Sequence, residues 1–139
     1  MKLFAVLTFT AALGLSLAAC GARSSDEEQV RALFDAAEQA AEARDTLDVL
    51  ALVAEEYRDA QGLDRDQLRN FLRAYFLSHP RLELVVRVES LEFPVDGLAH
   101  AVVTVATVEL GDPALERLKL ELRRGNGGWQ VTRADRVRG

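Results

Sequence analysis

In 139 residues the chain has one cysteine, three prolines, one tryptophan and two histidines, and each scarcity excludes something. A single cysteine permits no intramolecular disulfide and no cysteine-based zinc site, so packing alone must hold the fold. His79 and His100 stand apart, with no Cys or His at ligand spacing, so neither a metal nor a cofactor is expected. No glycine-rich phosphate loop and no nucleophile motif occurs. The formal net charge of −5 argues against a nucleic-acid partner, which requires a basic surface.

What is present begins at the start of the chain. Met1-Lys2 supplies a short positive segment, and Leu3 to Leu17 is an uncharged, mostly apolar run. Small residues follow, directly before the lone Cys20. That order is the layout of a secretory signal peptide. Leu17-Ala18-Ala19-Cys20 resembles the lipobox of bacterial lipoproteins. The resemblance implies cleavage between Ala19 and Cys20 and a palmitate-bearing lipid on Cys20, hence a partner in the membrane. Two other readings stay open: an uncleaved span, since roughly 20 apolar residues suffice to cross a bilayer, and an ordinary cleaved signal leaving a free thiol. Gly21 after the cysteine favours, by analogy with lipoprotein sorting in Gram-negative cells, the outer membrane facing the periplasm over the inner membrane. The expected organisation is a signal peptide over 1–19, a lipidated Cys20 with a short polar tether to Ser25, and one domain over 26–139.

Removing nineteen residues leaves 120, enough for one core. Charge is unevenly spread. Residues 20–63 hold eleven acids against four arginines, while residues 117–139 hold seven basic residues against Glu121 and Asp135. Either acidic helices face basic strands within one domain, or the asymmetry marks a partner surface.

Ser25 with Glu28 reads as a capping box, and Val30, Leu33, Phe34, Ala37 and Ala41 recur at helical spacing to about Ala43. A second helix is expected over Thr46–Glu56. Asp64 with Gln67 offers another cap, followed by Leu68, Phe71, Leu72 and Tyr75 in a third helix that Pro80 stops. From Leu82 the period becomes two. The apolar phase slips between Val88 and Leu91, as a β-bulge produces. Asp96-Gly97 signals a hairpin, Leu98–Leu110 reads as a central strand, and Gly111-Asp112-Pro113 as a turn. Leu118, Leu120 and Leu122 alternate with charged residues. Gly125–Gly128 turns the chain into a last strand from Trp129, whose ring is expected to share the interior with Phe34 and Phe71.

Three helices and then a four-stranded antiparallel meander make an α+β fold, with the helices on one face of a curved sheet. In this order, in the Tyr57-Arg58-Asp59 to Gly62 element and in the glycine-rich hairpin into Trp129-Gln130-Val131-Thr132, the chain resembles the small secreted bacterial members of the nuclear transport factor 2-like (cystatin-like) superfamily. The resemblance implies a cone with an apolar pocket. It includes isomerases, dehydratases and hydrolases alongside non-catalytic binding and assembly modules, so the fold does not choose the function.

Enzymes of that superfamily place an Asp in the pocket as general base. Asp59, beside Tyr57, is the weak catalytic candidate here, and its other reading is a turn carboxylate accepting backbone N–H groups. His79 is read as interacting with the last carbonyls of the third helix. Arg65, Arg69 and Arg73 form a row at i, i+4, i+8 that either meets an anionic partner or is neutralised by acids such as Asp66. The expectation is a membrane-anchored, non-catalytic module that binds a small apolar ligand or an envelope protein. Homodimerisation through the open sheet face is a further option. The alternative is a lipid-anchored isomerase, dehydratase or hydrolase using Asp59.

Overall fold

The computed structural model describes residues 18–138, with side chains described from residue 25. Most of the expected signal peptide, residues 1–17, lies outside the described residues, and so does the side chain of Cys20.

Helix α1 spans Ala18–Glu42. It starts earlier than expected: the stretch from Cys20 to Ser25, expected as an extended tether, is helical. Ser25 therefore caps nothing, because a capping residue needs non-helical backbone ahead of the first turn. Its hydroxyl instead accepts from Gln29 Nε2 at 3.1 Å. The expected stripe is buried at Val30, Leu33 and Phe34 and half-buried at Ala37 and Ala41, while Ala40, outside that stripe, is buried as well. At the other end Arg44 takes the left-handed conformation, with φ 52°. The Arg44 N–H donates to Ala41 O and the Asp45 N–H to Ala40 O, the paired bonds of a Schellman ending.

Helix α2, Thr46–Ala51, is shorter than the expected Thr46–Glu56. Val53 leaves the helix to pair with Val131 in a parallel bridge, while Leu52 packs against the main core and Val49 against the Phe76 cluster. Helix α3, Arg65–Ser78, has the expected capping box of Asp64 and Gln67 and ends at His79 before Pro80.

The sheet is a meander, β1 (Glu83–Val95), β2 (Leu98–Glu109), β3 (Asp112–Gly125) and β4 (Gly128–Arg136), all pairs antiparallel in the order β1-β2-β3-β4. The expected bulge falls between Val88 and Ser90, a second irregularity lies between Glu92 and Val95, and a third separates Glu121 from Leu122. Bulges bend strands, so the sheet curls around the helices. The β2–β3 turn sits one residue earlier than expected, at Leu110-Gly111. Both have positive φ, 52° and 86°, as a two-residue type I′ hairpin demands. Pro113 lies within β3, opposite Val108.

Both outer edges of the sheet are occupied. Along β1, the Leu84 N–H donates to Glu42 Oε1 at 3.3 Å and the Val86 N–H to Glu38 Oε1, so two carboxylates of α1 satisfy donors that an edge strand leaves unpaired. Along β4, Val131 exchanges backbone bonds with Leu52 and Ala54, each at 2.9 Å.

The core lies between α1 and the concave face, where Val30, Leu33 and Phe34 meet Ala99, Ala101, Val103, Leu120, Leu122 and Trp129. Trp129 is 6% exposed and packs edge-on against Phe93, with ring centroids 5.7 Å apart. Phe34 shares this interior as expected. Phe71 does not: it is 51% exposed, because α3 buries Phe76 against Leu82 and Leu84 and turns its Phe71 side away from the core.

Candidate functional site

That turn of α3 leaves a groove of about 690 Å³ between the helix and the far ends of β3 and β4. Leu63, Leu68, Phe71, Leu118, Ala134 and Val137 supply its apolar lining, while Asp59, Glu116, Asp135 and Arg136 bring charge.

The structure places Asp59 in the groove wall and spends its carboxylate on the fold. Oδ1 accepts the N–H groups of Gln61 and Leu63, each at 3.0 Å, and Oδ2 accepts the Tyr57 hydroxyl at 3.2 Å. Gly62, with φ 82°, makes the tight turn between them possible. Tyr57 is buried, and burial, then the Asp59 charge and hydrogen bond, push its phenol well above the ordinary tyrosine value, with the Arg133 charge acting weakly the other way. Tyr57 is therefore a fixed donor to Asp59. The other carboxylates of the groove are engaged as well. Asp135 accepts the Ala60 N–H at 2.7 Å and pairs with Arg133, and Glu116 pairs with Arg136. Each of these carboxylates already has a partner that holds it in place, and with about four acceptor sites per carboxylate each keeps capacity to accept a further hydrogen bond or a proton.

A second set of ionisable groups converges at the rim, and no sequence pattern pointed to it. His79 Nδ1 lies 2.7 Å from Tyr75 O, the helix-end contact expected for this residue. A carbonyl can only accept, so Nδ1 carries the proton and Nε2 is the nitrogen that faces Glu109, 3.7 Å away. That distance is too long for a direct hydrogen bond. The imidazole also stacks on Tyr75, with centroids 4.0 Å apart. Burial and the Glu109 and Glu116 charges raise the Tyr75 phenol above its ordinary value, against a hydrogen bond with Thr107. These groups line a hollow of about 350 Å³ with Leu110 and Asp112. Glu109 and Asp112 flank the β2–β3 turn, 30 or more positions from His79, so only the folded sheet brings them to the end of α3.

His100 pairs loosely with Glu121 at 4.0 Å on the outer face of the sheet. Among the described residues no cluster of His, Cys, Asp or Glu is arranged to hold a metal ion. The arginine row divides. Arg65 donates to Leu50 O at 2.8 Å and Val53 O at 3.2 Å, closing the carbonyl end of α2, and Arg69 pairs with Asp66 at 3.2 Å. Arg73 is exposed. The charge asymmetry along the chain is partly spent within the domain, where Arg124 of β3 meets Asp26 of α1.

No protein-family model and no curated protein matches the chain. Solved structures do. A cystatin-like protein of unknown function from Nostoc punctiforme superposes with a TM-score of 0.71 at 18% identity, covering 84% of this chain and 78% of its own. A nuclear transport factor 2-like protein of unknown function from Shewanella oneidensis gives 0.65 at 16% identity, over 79% and 97% of the two chains. A protein provisionally assigned as a scytalone dehydratase, from Novosphingobium aromaticivorans, gives 0.72 at 11% identity, over 84% and 86%. The chain has the nuclear transport factor 2-like, cystatin-like fold. At these identities the likeness defines the fold alone, and activities found on that fold differ from protein to protein.

Proposed function

We propose that this chain is a lipid-anchored protein of the bacterial cell envelope whose domain binds a small apolar ligand, or a segment of another envelope protein, without transforming it. The observation that carries the binding reading is the groove beneath α3. Phe71 stands exposed there beside Leu63, Leu68 and Leu118, and the carboxylates around it are held by turn, tyrosine and arginine partners. The lining is mixed, with Arg117, Arg136 and Arg138 beside the apolar side chains, and ligand sites combine apolar surface with a few placed polar groups that fix orientation. The anchor rests on the Leu17–Cys20 sequence. Cys20→Ala is expected to abolish palmitate labelling and release the protein from membranes; labelling and fractionation unchanged from wild type would refute it.

One observation favours the enzyme reading. Asp59 does line the groove, with a tyrosine hydroxyl beside it, and one structural neighbour is provisionally assigned as a dehydratase. Native mass spectrometry of protein purified from its host would identify the bound molecule. Asp59→Asn keeps the shape but removes basicity, so a general base lost there would slow turnover by about 10²–10⁴-fold. The binding reading expects the ligand unaltered and its affinity equal in both proteins. Conversion of the ligand by wild type alone would establish the enzyme.

A further inference from the structure

We infer that the domain stands on the membrane in one orientation, with its β1–β2 and β3–β4 hairpin tips against the lipid surface and its groove opening away from it. This rests on the anchored reading proposed above. The argument is where α1 is fastened. Near its start, Asp26 receives both of its carboxylate contacts from Arg124 Nη1 at 2.8 Å, while Arg124 Nη2 reaches Asp96 at 2.7 Å in the β1–β2 turn. The Arg124 guanidinium also lies over the Trp129 ring, 5.6 Å from its centroid. Near its end, Glu38 and Glu42 hold the Val86 and Leu84 N–H groups at the opposite end of the sheet. Two fastenings far apart on one helix prevent it from pivoting on the sheet.

Cys20 precedes Asp26 by six residues, and α1 is continuous from Ala18. At 1.5 Å per residue the lipid attachment point lies about 9 Å beyond the Arg124 joint along the helix axis. That is short of the reach a flexible tether would have, and the side of the domain that meets the bilayer is therefore set by the helix. The nearest parts of the sheet are the two turns at that end, Val95-Asp96-Gly97 and Gly125–Gly128. Val95 is exposed there. The groove is at the other end. Leu118 in its wall is six residues back along β3 from Arg124, about 20 Å at strand rise. A ligand would enter from the aqueous side and not directly from the bilayer.

The test uses the full-length lipidated protein in vesicles of phosphatidylethanolamine and phosphatidylglycerol. A bimane label is placed by Asn126→Cys at the β3–β4 tip, or by Leu110→Cys at the far β2–β3 turn. Phospholipid spin-labelled on its head group serves as quencher. Quenching is expected to be several-fold stronger at the Asn126 position. Equal quenching, or stronger quenching at Leu110, overturns the orientation. Arg124→Gln frees Asp26 and Asp96 and is expected to shrink the difference. Should that variant fold poorly, a flexible Gly/Ser insertion of about 10 residues after Arg23 is expected to abolish it. A difference that survives the insertion would show the tips binding lipid by themselves and would refute the role given to α1. Protein that fails to float with vesicles refutes the anchor and this inference together, whereas floating protein with equal quenching refutes only the orientation.

Discussion

At the scale of single residues, Trp129 and Phe71 are two large rings with opposite fates. Trp129 is buried with its indole Nε1 unpaired. Trp129→Ala is expected to cost about 3–5 kcal/mol. Trp129→Phe keeps most of the ring volume and removes a buried donor without a partner, so it should cost less than about 1.5 kcal/mol. Urea midpoints of the two variants check this, and equal losses would show that an indole-specific contact, such as the Arg124 guanidinium over the ring, and not retained volume, matters at the site. Phe71, half exposed over the groove, predicts the reverse pattern. Phe71→Ser should shift the midpoint by no more than about 0.5 kcal/mol, as exposed positions do, while weakening whatever ligand native mass spectrometry identifies. A large loss of stability with unchanged ligand affinity would return Phe71 to the core.

At the scale of elements, the relation between α1 and β1 is the one to probe. The carboxylates of Glu38 and Glu42 take the place of a fifth strand at the β1 edge. Glu38→Ala leaves the Val86 N–H without its partner, at a cost of about 1–3 kcal/mol if water does not replace it. It also uncovers an edge able to pair with a second chain. A lower urea midpoint together with concentration-dependent light scattering is the expected result; a variant as soluble and stable as wild type would mean that water satisfies the edge equally well. The capping box of α3 was legible from Asp64 and Gln67 because capping is a matter of neighbours three residues apart. The end of α2 was not legible, because Val53 departs only when β4 is there to receive it.

At the scale of the whole molecule, Tyr57 ties stability to pH. Its phenol is raised above the ordinary value of about 10 by burial first and Asp59 second. Above pH ~10 the unfolded chain releases the Tyr57 proton while the folded chain keeps it. The unfolded state then binds fewer protons, so stability falls with rising pH. Below that pH this group has no effect on the slope. Tyr57→Phe should lose about 1 kcal/mol at neutral pH with its hydrogen bond to Asp59, and should show a shallower decline at alkaline pH. Urea titrations of both proteins from pH 7 to 11 measure it, and parallel alkaline declines would place the titrating group elsewhere. The groove belongs to this scale too, since α3, two strands and the 59–63 turn must all be in place before it exists.

The sequence by itself determined the order of the elements, the bulge after Val88, the α3 cap and the inward direction of Trp129. Each follows from periodicity or from contacts only a few residues apart. It also carries the Leu17–Cys20 motif, which is a matter of sequence alone. Tertiary structure decided what long-range packing decides. Val53 left α2 for β4, Phe71 faced a groove instead of the core, and His79 met Glu109 at the rim. Two carboxylates of α1, which on a helical wheel are merely solvated acids, became the partners of a strand edge. None of these is visible in local pattern, because in each case the partner arrives from tens of residues away and only after the sheet has curled.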